Sequence, residues 1–278
     1  MVNFKTYIEH AKAHCSTLGY ETSRVDWLIM DLMNWSRLDM VLHSSEQLTA
    51  TDKEKLDNAL SRLYQGEPVQ YIVGFQTFYG ERFTVNENCL IPRPETEEVM
   101  LHFLNMLHAG DTIVDIGTGS GNIPIMLKKL MPTLNVYATD IASETLEIAR
   151  QNARQHEVDI QFLLGDTLNP LIEQGIKLNG LISNPPYIEN NEATLMSDTV
   201  LDYEPHRALF AEDNGLAIYK AILRNLPAVL CEGAPVVFEI GHNQGDKLCE
   251  IINELYPHIK VAVLKDINNN KRIVSFRW

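Results

Sequence analysis

Thr112-Ile113-Val114-Asp115-Ile116-Gly117-Thr118-Gly119-Ser120-Gly121-Asn122 is the stretch whose reading decides the fold. A short apolar, β-branched run reads as a buried strand, and glycines let the chain turn tightly where a helix N-terminus follows. The same alternation continues downstream. Helix is expected at Asn122–Leu130, Ser143–Gln155 and Leu168–Gln174, and strand at Asn135–Ala138, Ile160–Leu164 and Gly180–Ser183. Beyond an acidic loop come a helix at about Leu216–Leu230, a strand at Pro235–Ile240, a helix at Asp246–Leu255 and closing strands at Lys260–Leu264 and Arg272–Phe276. Strands alternating with helices predict an α/β domain with a mostly parallel sheet covered on both faces. Ligands of such sheets bind beyond the carboxyl ends of the strands, near the point where strand order reverses.

The glycine spacing narrows the ligand. Gly117, Gly119 and Gly121 follow a Gly-x-Gly-x-Gly pattern, which is not the Gly-x-Gly-x-x-Gly of dinucleotide binders. Asp115 beside the loop would repel a pyrophosphate. It suits a ligand that carries an ammonium and a sulfonium, as S-adenosylmethionine does. Asp140 follows the second strand, 19 residues beyond Gly121, where a carboxylate can accept ribose hydroxyls. Asp166, next to Thr167, ends the third strand, where a carboxylate can accept an adenine amino group. Each aspartate alone could be a helix cap or turn residue. Three strand ends in register with one glycine loop point to a cofactor site made of Asp115, Gly117, Thr118, Gly119, Ser120, Gly121, Asp140, Asp166 and Thr167.

A second constellation, Asn184-Pro185-Pro186-Tyr187, ends the run Gly180-Leu181-Ile182-Ser183. Each proline lacks an N–H and fixes φ, and Pro186 pushes Pro185 towards an extended form. Asn184 offers one carbonyl acceptor, the Pro185 main chain a second, and Tyr187 a flat face. Two acceptors and a ring fit a planar –NH2 group. A tight turn with a core tyrosine is the plainer reading of the same residues taken alone.

Upstream, residues 1 to about 66 carry helical stripes, such as Val25, Leu28, Ile29 and Leu32, with Thr49 or Thr51 able to cap a later helix. Gly66-Glu67-Pro68 breaks that pattern, and Gln70–Val85 reads as an aromatic β-hairpin. Leu90-Ile-Pro-Arg-Pro-Glu-Thr-Glu97 follows as a stiff connector, in which Arg93 reads first as a surface salt-bridge residue. The expected division is a helical region at 1–68, a hairpin linker at 69–94 and a catalytic domain at 95–278. His10 and His14 stand at i, i+4 without further ligands, so no metal site is expected.

Composition excludes several classes. No apolar run approaches a membrane span, and the N-terminal residues lack a secretory pattern. Four scattered cysteines without a Cys-x-x-Cys pair read as reduced thiols in a cytoplasmic protein. A net charge of −14 counts against non-specific nucleic-acid binding. The acidic run Glu189, Glu192, Asp198, Asp202, Glu204, Glu212 and Asp213 is a solvated face by default and a docking surface for a basic protein on the sharper reading.

Asp115–Gly121, Asp140, Asp166 and Asn184–Tyr187 together resemble class I S-adenosylmethionine-dependent methyltransferases that act on planar amino groups. With the N-terminal helices, Tyr71–Phe75, Leu90–Glu97, Tyr203-Glu204-Pro205 and Phe238–Gly241, the whole chain is similar to the HemK/PrmC family. The resemblance implies a Rossmann-like seven-stranded sheet with a small N-terminal helical domain. It also implies methylation of the glutamine amide in the Gly-Gly-Gln segment of peptide chain release factors. Asn184, Pro185 and Tyr187 are then the catalytic residues, Asn184 also borders the cofactor, and Asn184 to Tyr187 bind the substrate. Thr167 is a departure, because relatives often place an aromatic there beside the adenine. The competing reading is an adenine or guanine amino-methyltransferase acting on DNA or RNA, since Asn-Pro-Pro-Tyr is shared with those enzymes. The first 70 residues hold 7 Lys and Arg against 10 Asp and Glu, which does not supply the basic recognition region such an enzyme needs.

Overall fold

The computed structural model of the chain describes residues 2–189, 191, 193 and 196–278; Glu192 of the acidic run lies outside them. The chain divides into two compact units, Met1–Phe75 with Ser197–Tyr203, and Gln76–Met196 with Glu204–Trp278.

The first unit is helical. Helices Phe4–Thr17, Ser23–Met33 and Ala50–Tyr64 pack Phe4, Ile8, Val25, Leu28, Ile29, Leu56 and Leu63 into one core. Their starts are capped as the residue types dictate: Asn3 accepts from the Thr6 N–H at 2.9 Å and Thr49 from Asp52 at 3.0 Å. His14 lies edge-on against the Tyr64 ring, with centroids 4.5 Å apart. Residues 197–203 return to this unit, where the Tyr203 hydroxyl donates to the Gln65 carbonyl at 2.9 Å.

One expected strand is a helix. Val69–Val73 forms a helical turn at the start of the aromatic segment, with Tyr71 and Ile72 both donating to the Pro68 carbonyl at 3.1 Å. Proline preorganises a helix start, and Gly74 at φ 83° ends it in the left-handed region. The hairpin begins only at β1 (Phe75–Phe78) and β2 (Glu81–Thr84), joined by Tyr79 and Gly80, both at positive φ.

The second unit carries the sheet: β3 (Thr112–Ile116), β4 (Asn135–Asp140), β5 (Gln161–Leu164), β6 (Gly180–Ser183), β7 (Pro235–Glu239), β8 (Ala262–Lys265) and β9 (Lys271–Arg277). Their order is β5-β4-β3-β6-β7-β9-β8. The strands β3 to β7 pair parallel, and β9 runs antiparallel to β7 and to β8. Order reverses between β3 and β6, which sets the crevice there. Successive strand residues feed opposite faces, as pleating requires. Val114, Leu181, Val236 and Val274 join the core under helices Ala217–Val229 and Gly245–Leu255. Ile113, Ile182, Val237 and Ile273 join the other, under helices Glu95–Leu104 and Asn122–Leu130. Phe78 and Phe83 of the hairpin lie in that second core, so β1 and β2 pack with the sheet.

Asn152, fully buried on the helix Ser143–Gln155, clasps hairpin and glycine loop together. Its Oδ1 accepts from Thr84 N at 2.8 Å, while its Nδ2 donates to the carbonyls of Thr84 at 3.0 Å and Ser120 at 2.8 Å. Removing that amide strands three polar groups. Asn152→Ala is therefore expected to lower the unfolding free energy by about 2–4 kcal/mol in urea titrations, with an unchanged m-value.

Candidate active site

A cavity of about 410 Å³ opens beyond the carboxyl ends of β3 to β6, with walls that include Ile116, Gly117, Gly119, Asp140, Asp166, Thr167 and Asn184–Pro186. The register explains the convergence. Ile116 pairs with Ser183 and with Thr139, so the glycine loop, Asp140 and Asn184 leave the sheet at one level. The Ser183 hydroxyl locks that level by donating to the Ile116 carbonyl at 2.7 Å.

The glycine loop is held by β4. Gly117 and Thr118 donate to the Thr139 carbonyl at 2.9 and 3.0 Å, and Gly119 donates to Asp140 Oδ2 at 3.1 Å. Gly117 and Gly119 stand at positive φ with open space where a Cβ would lie, which leaves their backbone accessible to a ligand. Gly121 has a different task. A Cβ there would sit 3.1 Å from both Ala149 Cβ and Ile125 Cδ1, so its smallness packs the helix. The Ser120 hydroxyl donates to Asn122 Oδ1 at 3.1 Å and is buried, away from the cavity wall.

Asp115 is 1% exposed, and neither carboxylate oxygen has a hydrogen-bond partner; the buried Thr118 hydroxyl likewise has none. Burial pushes the Asp115 carboxyl up to about 7, against the nearby Thr118 hydroxyl and with help from the Asp140 charge. Burial also raises Asp140, opposed by the Ala142 and Gly119 N–H groups that it accepts from. Uncompensated buried polar atoms are costly and mark a place where a ligand completes the structure. An ammonium-bearing cofactor with a hydroxylated sugar fits this set: a buried anion, a carboxylate at the next strand end, and exposed loop backbone between them. Thr167, at φ 48°, turns the chain at the cavity wall, and its carbonyl accepts from the Thr139 hydroxyl at 3.0 Å.

At the tip of β6, Asn184 donates from Nδ2 to Thr96 Oγ1 at 3.3 Å, and Thr96 donates to Glu239 Oε2 at 2.7 Å. Among the described residues, no donor reaches the Pro185 carbonyl. Tyr187 does not line the cavity. Its carbonyl accepts from Gln244 Nε2 at 2.7 Å, and its ring lies against Gly241, where a Cβ would come within 3.4 Å of Cδ2.

Two expectations change. Glu204 is buried, not part of a solvated face: its carboxylate accepts from Arg93 at 2.5 Å and from the Ile91 N–H at 3.2 Å. Arg93 accordingly holds the connector to a buried anion. Glu212, Asp213, Asp198 and Asp202 are exposed. The sequence assigns Thr96 at most the start of the helix after the connector and places the glutamate at the end of β7 in a core stretch; neither is expected at the site. A lone charge closing the apolar run Pro235–Phe238 was the available signal. Among the described residues, no cluster of His, Cys, Asp and Glu is placed to hold a metal, and no helix is long and apolar enough to cross a membrane.

Comparisons with known proteins bear on this geometry. Residues 7–74 match the PrmC N-terminal domain and residues 95–203 the methyltransferase small domain. A release factor glutamine methyltransferase of Staphylococcus aureus is 54% identical over 278 residues, all of both chains. Its counterpart in Bacillus anthracis is 37% identical over 261 residues, 92% of each. A methyltransferase structure from Pyrococcus furiosus shares the fold, with a TM-score of 0.53 at 18% identity, over 80% of this chain and 98% of that one.

The Asp115 carboxyl ionises at higher pH in the folded chain than in the unfolded one, so it disfavours folding increasingly as pH rises from about 4 through about 7. Asp115→Asn is expected to stabilise the ligand-free chain by about 1–3 kcal/mol at pH 8, with the gain shrinking towards pH 4. Urea titrations at both pH values measure it, and calorimetry with S-adenosylmethionine should show binding lost at pH 8.

Proposed function

The chain belongs to the release factor glutamine methyltransferase family, and from that premise we propose that it methylates the side-chain amide nitrogen of the Gly-Gly-Gln glutamine of peptide chain release factors. Bound at the glycine loop, S-adenosylmethionine supplies an electrophilic methyl group on a sulfonium. Asp115, Asp140 and the open backbone of Gly117 and Gly119 would hold it, with Asp166 and Thr167 in the cavity wall.

The observation that carries the acceptor assignment is the orientation of Asn184. Its Nδ2 gives one of its two hydrogens to Thr96, which holds the amide with its –NH2 on that side and leaves the carbonyl oxygen for the substrate. Together with the Pro185 carbonyl it accepts the two hydrogens of a primary amide, which fixes the amide plane and aims its nitrogen. Hydrogen bonds accepted from both N–H groups also raise electron density on a nitrogen whose lone pair is delocalised. No histidine lines the cavity among the described residues. The chemistry accommodates that, because an amide that gains a methyl and a positive charge sheds its proton to water.

An amino-methyltransferase of nucleic acid would use the same corner. The acidic balance of the first 70 residues favours a protein acceptor, and a release factor in turn places the reaction in the cytoplasm.

Incubation with labelled S-adenosylmethionine and purified release factor, followed by peptide mass mapping, is expected to place one methyl on the Gly-Gly-Gln glutamine. Label on RNA, or on a different residue, overturns the assignment. Asn184→Ala should lower kcat by about 30- to 1000-fold, or about 2–4 kcal/mol, with cofactor affinity changed far less.

A further inference from the structure

Resting on that reading of the site, we propose that Thr96 and Glu239 are positioning residues: a buried hydrogen-bond relay that dictates which end of the Asn184 amide faces the acceptor. Both side chains are almost wholly buried, Thr96 at 2% and Glu239 at 1% exposure. They come from distant parts of the chain, the connector helix Glu95–Leu104 and the end of β7, and meet behind Asn184.

The polarity of the relay follows from counting protons. An ionised carboxylate only accepts, and a hydroxyl has one proton to give. Thr96 gives its proton to Glu239 at 2.7 Å, so towards Asn184 its oxygen can only accept. The partner at 3.3 Å must therefore be the Nδ2 donor, which turns Oδ1 to the substrate. An asparagine side chain is free to rotate by half a turn. Without the relay, its –NH2 could face the substrate –NH2, donor against donor.

Glu239 is not retained as half of an ion pair. The nearby cations are committed elsewhere: Arg272 to Asp266 at 3.2 Å and to the Ile240 carbonyl at 3.2 Å, and Arg93 to Glu204. The groups that face Glu239 are Arg272 from β9, Arg93 and Glu95 from the connector, Tyr187 after β6, and Tyr219, whose hydroxyl donates to the Glu239 main-chain carbonyl at 2.6 Å. Burial dominates over all of them and pushes the Glu239 carboxyl up to about 7, against the Thr96 hydrogen bond.

That gives the relay a pH sign. Below about 7 Glu239 carries a proton and can donate to Thr96, whose own hydrogen then turns towards Asn184 and favours the wrong amide orientation. Turnover at saturating cofactor and release factor is expected to fall about tenfold per pH unit below that point in the wild-type chain. Asp115 acts on cofactor affinity, so saturation separates the two groups. Glu239→Gln should flatten this acid limb. Thr96→Val, nearly isosteric but unable to pass the hydrogen bond, should lower kcat about tenfold or more with the cofactor Kd within about twofold. Thr96→Ser, which restores the hydroxyl, should stay within about threefold of wild type.

A readout independent of turnover completes the test. The side-chain 15N–1H signals of Asn184 should titrate with a midpoint near 7 in the wild type and not in Glu239→Gln. Unchanged kcat in Thr96→Val, an equal loss in Thr96→Ser, or a titration that survives Glu239→Gln overturns the relay. A wild-type chain whose Asn184 titrates as expected but that methylates no release factor upholds the relay and refutes the function instead.

Discussion

The parallel pairing of β3 with β6 is the constraint on which the site depends. Because Ile116 is opposite Ser183, the chain leaves both strands at the same height, one into the glycine loop and the other into Asn184. A register slip of one residue would reverse the faces of β6, sending Ile182 into the wrong core and Asn184 away from the donor loop. The slip is opposed on both faces at once, since Leu181 and Ile182 belong to different cores, and by the buried hydroxyl of Ser183. Placement of the reacting groups is thus inherited from strand burial, with no need for a loop to find its position.

The same sheet carries charges that its stability would be better without. Asp115 and Glu239 are both buried carboxyls raised to about 7, on strands two places apart in the sheet order. Each disfavours folding as pH rises through that range, and neither has a cation bonded to it. A chain selected for stability alone would place apolar residues at both positions. The proposed roles at the strand tips explain their presence: Asp115 as the anion for a cationic ligand, and Glu239 as the group that sets a hydrogen-bond direction.

Much of this was legible in the sequence, for reasons that can be located. Strand burial writes itself as apolar runs, so β3, β6 and β7 begin where their residues predict, and the glycine spacing carries the ligand class in its geometry. Asp140, Asp166, Thr167 and Asn184–Pro186 do reach one cavity, while Tyr187 does not line it. What pattern reading missed depends on contacts far apart along the chain. The pairing of Glu204 with Arg93 crosses 111 residues and that of Thr96 with Glu239 crosses 143, and no local period encodes either. Tyr71-Ile72-Val73 misled because β-branched and aromatic residues favour strands only when nothing stronger intervenes. Here Pro68 starts a helical turn and Gly74 closes it. Ser120 and Gly121 share the motif with Gly117 and Gly119, yet the Ser120 hydroxyl bonds Asn122 and Gly121 packs against Ala149 and Ile125.

Those distant contacts give the connector Leu90–Glu97 a physical meaning. Leu90 stands in the cavity wall, and the Ile91 N–H and the Arg93 guanidinium both bind the buried Glu204 carboxylate. Pro94 caps the helix that follows, whose second residue, Thr96, reaches Asn184 and Glu239. One side of the segment therefore anchors the chain next to the acidic loop, while the other orients the acceptor corner. The Asn-Pro-Pro-Tyr corner supplies an acceptor pair suited to any planar amino group. The connector adds what the corner lacks, a fixed direction for the asparagine amide. A stretch with no nucleophile, base or glycine loop thus acts on the acceptor corner through the direction it imposes on one amide.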